Sequence, residues 1–324
     1  MSKLSATATN LAALMLLSLP ISGWACSSCG CTLSSDWENQ GLSSTPGLRV
    51  DLRYDYINQD QLRYGSGTAS SADVASALTN GMVGETEVKT RNHYYTLGLD
   101  YSPNRDWGIN VQIPYIDRDH ATLGVGDTEN TNSHTRSLGD IKLIGRYQGF
   151  FEARDTGVLL GVKLPTGKRD ANFASGPGAG QQLDRSLQPG SGSTDIILGV
   201  YHTRALGKNW DGFAQAIFQA AVRTKDDYRP GNSLNLSAGV RYVDWGSVVP
   251  QLQLNAREVR RDSGLNSDPD NTGGRLVYLS PGVTVAVSKS AKVYGFIQLP
   301  LYQYVEGLQL SPHWNASVGL NFSL

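Results

Sequence analysis

From Leu48 onward, apolar and polar residues alternate with a period of two in one segment after another. Successive side chains on a strand point to opposite faces. Strict alternation therefore predicts strands with one face in an apolar medium and the other in water. The first segment, near Leu48 to Arg63, sets Val50, Leu52, Tyr54 and Tyr56 against Arg49, Asp51, Arg53 and Asp55. The last sets Trp314, Ala316, Val318, Leu320, Phe322 and Leu324 against His313, Asn315, Ser317, Gly319, Asn321 and Ser323. Ten more lie between, near 89–101, 108–117, 138–150, 157–165, 195–204, 212–224, 233–243, 248–260, 275–288 and 292–304. Most have about the ten residues that a tilted strand needs to cross a bilayer, and some are longer. The expected fold is all-β: a transmembrane up-and-down antiparallel β-barrel of about twelve strands over residues 47–324.

The connections sort by length. Those at 102–106, 152–155, 206–209, 244–247 and 289–291 are short, whereas those after the first, third, fifth and ninth segments are long and polar, notably 65–88 and 166–194. The connections after the seventh and eleventh segments are shorter, but fall on the long-loop side. Short turns on one rim and long loops on the other are a mark of membrane barrels. Trp107, Trp210 and Trp245 all fall beside short turns, where an interfacial aromatic girdle belongs. A secreted sandwich or solenoid would explain the alternation, but not the loop asymmetry and the Trp placement together. An even strand count puts both termini on the short-turn side, the periplasmic one in an outer membrane.

Lys3 is the only charge before an apolar run from Leu11 to Leu19, which Pro20 breaks and Gly23-Trp24-Ala25 follows. That run is too short to span a bilayer. Residues 1–25 therefore read as a signal peptide outside the fold, and residues 26–46 as a separate periplasmic segment. No later stretch has the eighteen or so consecutive apolar residues of a membrane helix. The mean hydropathy of −0.29 suits a wall whose two faces alternate. A net charge of −1 offers nothing to nucleic acid. At the other end, Ser317-x-Gly319-x-x-Phe322-x-Leu324 resembles the C-terminal signal read by the outer-membrane barrel assembly machinery, with Leu324 where an aromatic residue is usual. The resemblance implies that machinery and outer-membrane lipid as partners.

Three phrases in the middle of the chain carry a second resemblance: Gly139-Asp140-Ile141-Lys142-Leu143-Ile144-Gly145-Arg146-Tyr147, Val162-Lys163-Leu164-Pro165-Thr166-Gly167 and Pro189-Gly190-Ser191-Gly192-Ser193-Thr194-Asp195. They resemble outer-membrane transporters grouped with the meta-pathway of phenol degradation. The likeness covers the fourth to sixth segments and implies passage of small molecules, aromatic or hydrophobic ones among them. The cysteine segment is not part of it.

Parity assigns an inward row. Arg49, Arg53, Lys142, Arg146, Lys163, Arg223, Arg241, Arg257 and Lys292 stand on it with Asp51, Asp55, Asp100, Asp140 and Asp195, and with Gln112, Gln215, Gln219, Asn235, Gln251, Gln253 and Gln298 between them. Barrels of about eight strands fill with side chains, and those of sixteen or more hold an aqueous channel, so twelve lies between. Two readings of the charges stand together: basic rings that favour anions, or opposite charges paired across strands to satisfy a polar interior. The Gly- and Ser-rich segment 166–194 is expected either to fold inward as a constriction or to remain an external loop.

Other motifs carry less. Gly161 to Arg169 resembles a phosphate loop but has five residues between its glycines and lacks the Ser or Thr for magnesium. Asp268 to Gly273 has calcium-like carboxylates, yet the twelfth position is Leu279 instead of a bidentate Glu. The five histidines are scattered singly, without a nucleophile pattern, so no enzyme is expected. Cys26, Cys29 and Cys31 are the exception, all within six residues. Together they offer three thiolates to Cu(I) or Zn, one short of a closed site, which a partner protein or another ligand would complete. A local disulfide with one spare thiol, or lipidation of Cys26, fits the same residues. Two functions follow: a channel for small solutes, or a barrel that anchors a periplasmic metal-binding or electron-transfer partner through its cysteines.

Overall fold

The computed structural model describes residues 45–324. Its strands are β1 (Gly47–Gly65), β2 (Gly67–Thr68), β3 (Glu85–Ser102), β4 (Trp107–Gly124), β5 (Thr131–Leu138), β6 (Ile141–Tyr147) and β7 (Thr156–Leu164), then β8 (Thr194–Ala205), β9 (Trp210–Arg223), β10 (Ser233–Tyr242), β11 (Val248–Val259), β12 (Gly274–Ala286) and β13 (Ala291–Ser323). One helix, α1 (Ser71–Thr79), lies between β2 and β3. Apart from β2 and β5, neighbours in sequence are antiparallel neighbours in space, and β13 closes the ring on β1. Eleven strands form the closed ring, while β2 and β5 lie beside it. β13 is two passes in one: Lys292 to Val305 pairs with β12, and the stretch from Val305 to Ser323 pairs with β1. It doubles back at Gly307, whose φ of +64° suits glycine. The wall thus has the twelve passes that the alternation predicts.

The outer face is apolar. Leu160, Leu198, Val200, Leu236, Leu252, Leu254 and Val318 are exposed on it, as a lipid-facing wall requires. Trp107, Trp210 and Trp245 are exposed beside the short turns. Trp107 packs on Tyr147 with ring centroids 4.5 Å apart, and Tyr242 bridges Trp210 and Trp245 at 5.1 and 5.9 Å. A second aromatic row, Tyr54, Tyr95 and Tyr115, crosses β1, β3 and β4 with centroids 5.2 and 6.5 Å apart. At a usual strand tilt, Trp107 and Tyr115 on β4 are about 20 Å apart along the axis, close to the height of an apolar band between two girdles.

Two local features depart from the plain alternation. Between Gln112↔Lys142 and Tyr115↔Leu138, Ile113 and Pro114 of β4 face three residues, Gly139, Asp140 and Ile141. This is a one-residue bulge, and it inverts parity: Thr131, Ser133 and Thr135 are buried before it, Asp140 and Arg146 after it. The second bulge, where β1 loses register between Ile57 and Gln61, turns His313 outward, off the polar row on which its parity placed it.

Helix α1 lies within the segment read as a long polar loop. Ser70 and Asp73 form a capping box, each side chain satisfying the other's backbone N–H. Its Ala77 is buried with Val83 and Leu308, so the helix seals the long-loop rim against the β13 hairpin. The Ser-x-x-Asp spacing was legible in the sequence. The helix is only nine residues, however, and its apolar positions gain meaning only against Leu308.

Candidate functional site

The interior is built from the inward row. Arg49 is buried and bonded to Asp100; Arg146 lies 3.7 Å from the same carboxylate and donates to Ser102 Oγ at 2.7 Å. Arg53 donates to Asp55 at 2.8 Å, and Asp55 accepts from Ser317 at 2.6 Å. Tyr294 donates to Asp51 at 3.1 Å. Lys163 Nζ is 3.1 Å from both Asp140 and Asp195, and Gln219 donates to Asp195 at 2.6 Å. Lys142 stands directly across from Lys163. Arg241 is 3.0 Å from Asp211, and Arg257 donates to Asn235 at 3.2 Å. Arg223 differs: it is exposed at the end of β9, beside the register shift at Thr194 and Asp195. Between these polar groups sit Leu159, Ile197, Tyr201 and Phe213, all buried. Their apolar character hid them, because β7 to β9 are apolar on both faces and alternation alone does not mark an inner side there.

The segment between β7 and β8 folds inward. Ala171, Phe173, Leu183 and Leu187 form a small core of its own, with Leu187 fully buried. Asp140, aimed by the bulge, holds both ends of this loop. It accepts from Gly167 N and from Ser191 N, each at 3.0 Å, from Ser191 Oγ at 2.7 Å and from Lys163 at 3.1 Å. Ser193 donates to Asp195 at 2.6 Å, and Thr166 Oγ1 to the Gly139 carbonyl at 3.0 Å. The three phrases that carried the transporter resemblance, far apart in sequence, meet at this one knot. Of the two expectations for the segment, the inward fold is the one observed.

Further in, Arg118 on β4 ties the loop to the wall. Nη1 donates to the Leu187 carbonyl at 2.5 Å, Nε to Asn92 Oδ1 at 2.5 Å, and Nη2 to Tyr94 OH at 2.9 Å. A cavity of about 230 Å³ lies between the loop and β1, β3 and β4, bordered by Arg118, Tyr94, Ile57 and Ile116 on the wall side and by Arg185 and Ser186 on the loop side. Sequence reasoning missed Arg118. It ended that strand at Asp117, and the polar run from Asp117 to His120 reads as the start of a loop. In the loop, burial pushes the Asp184 carboxyl up to about 7, opposed by the hydrogen bond from the Ser186 backbone N–H and reinforced by the nearby Asp268 and Asp262. Burial likewise raises Asp268 to about 6. Cys26, Cys29 and Cys31 lie outside the described residues, and among the described residues no three metal-ligating side chains gather.

No family model matches the chain, and no curated protein matches its sequence. Solved structures do. An outer membrane channel from Pseudomonas putida F1 superposes with a TM-score of 0.61 and 15% identity, over 86% of this chain and 96% of the other. The transport unit of the autotransporter AIDA-I from Escherichia coli gives 0.51 and 9%, over 92% and 95%. At these identities the likeness is one of fold: a closed membrane β-barrel.

Proposed function

We propose that the protein is a bacterial outer-membrane channel for small solutes, with both termini periplasmic and a bore set by the inward loop. The observation that carries this reading is the knot at Asp140, which holds a loop of some thirty residues inside the wall instead of leaving it in solvent. A barrel that served only as an anchor has no need of such a device. The apolar outer face, the two aromatic rows and the polar interior supply the membrane setting. The likeness to the Pseudomonas putida channel agrees with it, as do the phrases resembling the phenol-pathway transporters, which extend the solute range to aromatic or hydrophobic molecules. No catalytic constellation is invoked.

The bore is narrow and weakly anion-preferring. Several inner basic residues pair off, as with Arg49, Arg53 and Lys163, so the excess field is modest. Planar-bilayer recording of the purified protein should give small conductance steps whose anion preference fades as salt screens the interior. Replacing residues 171–187 by a short Gly-Ser linker should enlarge them. A protein that conducts at no ionic strength, with or without the loop, would remove the channel reading.

A further inference from the structure

Arg118 is buried, with 7% of its surface exposed, and no carboxylate among the described residues lies within 4.0 Å of it. All three of its hydrogen bonds go to neutral oxygens, those of Asn92, Leu187 and Tyr94. A buried cation without a counter-ion is costly, and such charges are ordinarily paired. One N–H on each terminal nitrogen is left over, the number that the two oxygens of a carboxylate take. Arg118 borders the cavity at the loop, which has room for an anion. Asp140 borders the same cavity, but its charge is taken by Lys163, Gly167 N and Ser191. On the loop side the cavity presents a second cation, Arg185, held 3.6 Å from Asp226. Ser186 also lines it, and its Oγ is buried without a hydrogen-bond partner.

From the buried charge and the cavity we infer that this space is a binding site for a small organic carboxylate. Its carboxylate meets the Arg118 guanidinium, and its apolar body lies against Ile57, Ile116 and the Tyr94 ring. An inorganic anion would fill the charge but leave the apolar wall without a partner. A neutral molecule of the same shape would leave the charge uncompensated. The inference rests on the channel reading only for the route by which the solute arrives, and it names the class of solute that the constriction selects.

Calorimetric titration of the full-length protein in detergent tests it, with hexanoate, hexanamide and inorganic phosphate as probes. Hexanoate should bind saturably, hexanamide and phosphate at least tenfold more weakly. Arg118→Gln should weaken hexanoate tenfold or more, and Arg118→Lys, which keeps the charge but loses the fork, should fall between. Equal binding of hexanoate and hexanamide by the unmodified protein overturns the inference whether or not either variant folds. So does tighter binding of phosphate than of hexanoate, or no hexanoate binding at all. Conductance without hexanoate binding defeats this site and leaves the channel; hexanoate binding without conductance does the reverse.

Discussion

Gly167 and Gly190 meet at the neck of the inward loop. A Cβ on Gly167 would stand 2.6 Å from the Gly190 Cα, and one on Gly190 would stand 2.4 Å from the Gly167 carbonyl oxygen. Both obstructing atoms are backbone, so neither swings aside. Only glycine at each position lets the two ends of the loop pass and reach Asp140 together. Gly190→Ala should cost about 1–3 kcal/mol, as overpacking does, and should loosen the neck. Faster protease cleavage within 171–187 and larger conductance steps are the expected readouts. Unchanged cleavage would show that the neck does not hold the loop.

Lys163 neutralises two buried carboxylates, Asp140 and Asp195. Lys163→Met leaves both charges buried and facing one another, a loss of about 3–5 kcal/mol by the usual cost of breaking a buried pair. Lys163→Met combined with Asp195→Asn should recover part of it, because one of the stranded charges is gone. Unfolding in urea from lipid vesicles measures both. A single variant as stable as the parent would mean that water or ions reach the knot freely.

Asp184 makes the loop sensitive to pH. Its folded value, about 7, lies above the ordinary carboxylate value of 3.8 because the group is buried. The folded loop therefore holds a proton that the open loop has released, and closure weakens as pH rises from about 4 to 7, with the full deficit above that. Hydrogen exchange at 183–188, corrected for intrinsic rates, should show easier opening at pH 8 than at pH 5. Asp184→Asn should remove most of that slope, leaving the share due to Asp268, which titrates near 6. A slope as steep in Asp184→Asn would assign the effect elsewhere.

Leu198 points outward in the middle of β8, between Leu160 and Phe218 on the neighbouring strands. Arginine there should cost about 2–4 kcal/mol if that wall faces lipid at mid-depth. Ser237 of β10 lies in register with Gln215 and Asn255, both buried, and Ser237→Arg should be tolerated better. Folding yield in vesicles ranks the two. The opposite ranking would invert inside and outside.

Period-two alternation, the placement of tryptophans beside short turns and the split between short and long connections were enough, in sequence, for a twelve-pass barrel. Each is a local property: the side chain of Leu52 or Val318 declares its medium without reference to anything distant. Arg49, Asp100, Arg146, Lys163 and Asp195 stand on the same local alternation, and all five are buried. What failed was whatever depends on contact across the ring. The inner side of 131–138 was not assigned in sequence: parity inverts between Thr135 and Asp140 because Ile113 and Pro114 of β4 face three residues, and no local pattern records a count on another strand. Arg118 looks like loop polarity until Leu187, sixty-nine positions away, is placed above it. The fold direction of 166–194 was undecided in sequence, since its glycines and serines suit solvent and a knot equally. Only the tertiary structure, by setting one carboxylate within reach of Gly167 and Ser191, turned that segment inward, because closing a loop of that length needs anchors that chain-local chemistry does not supply.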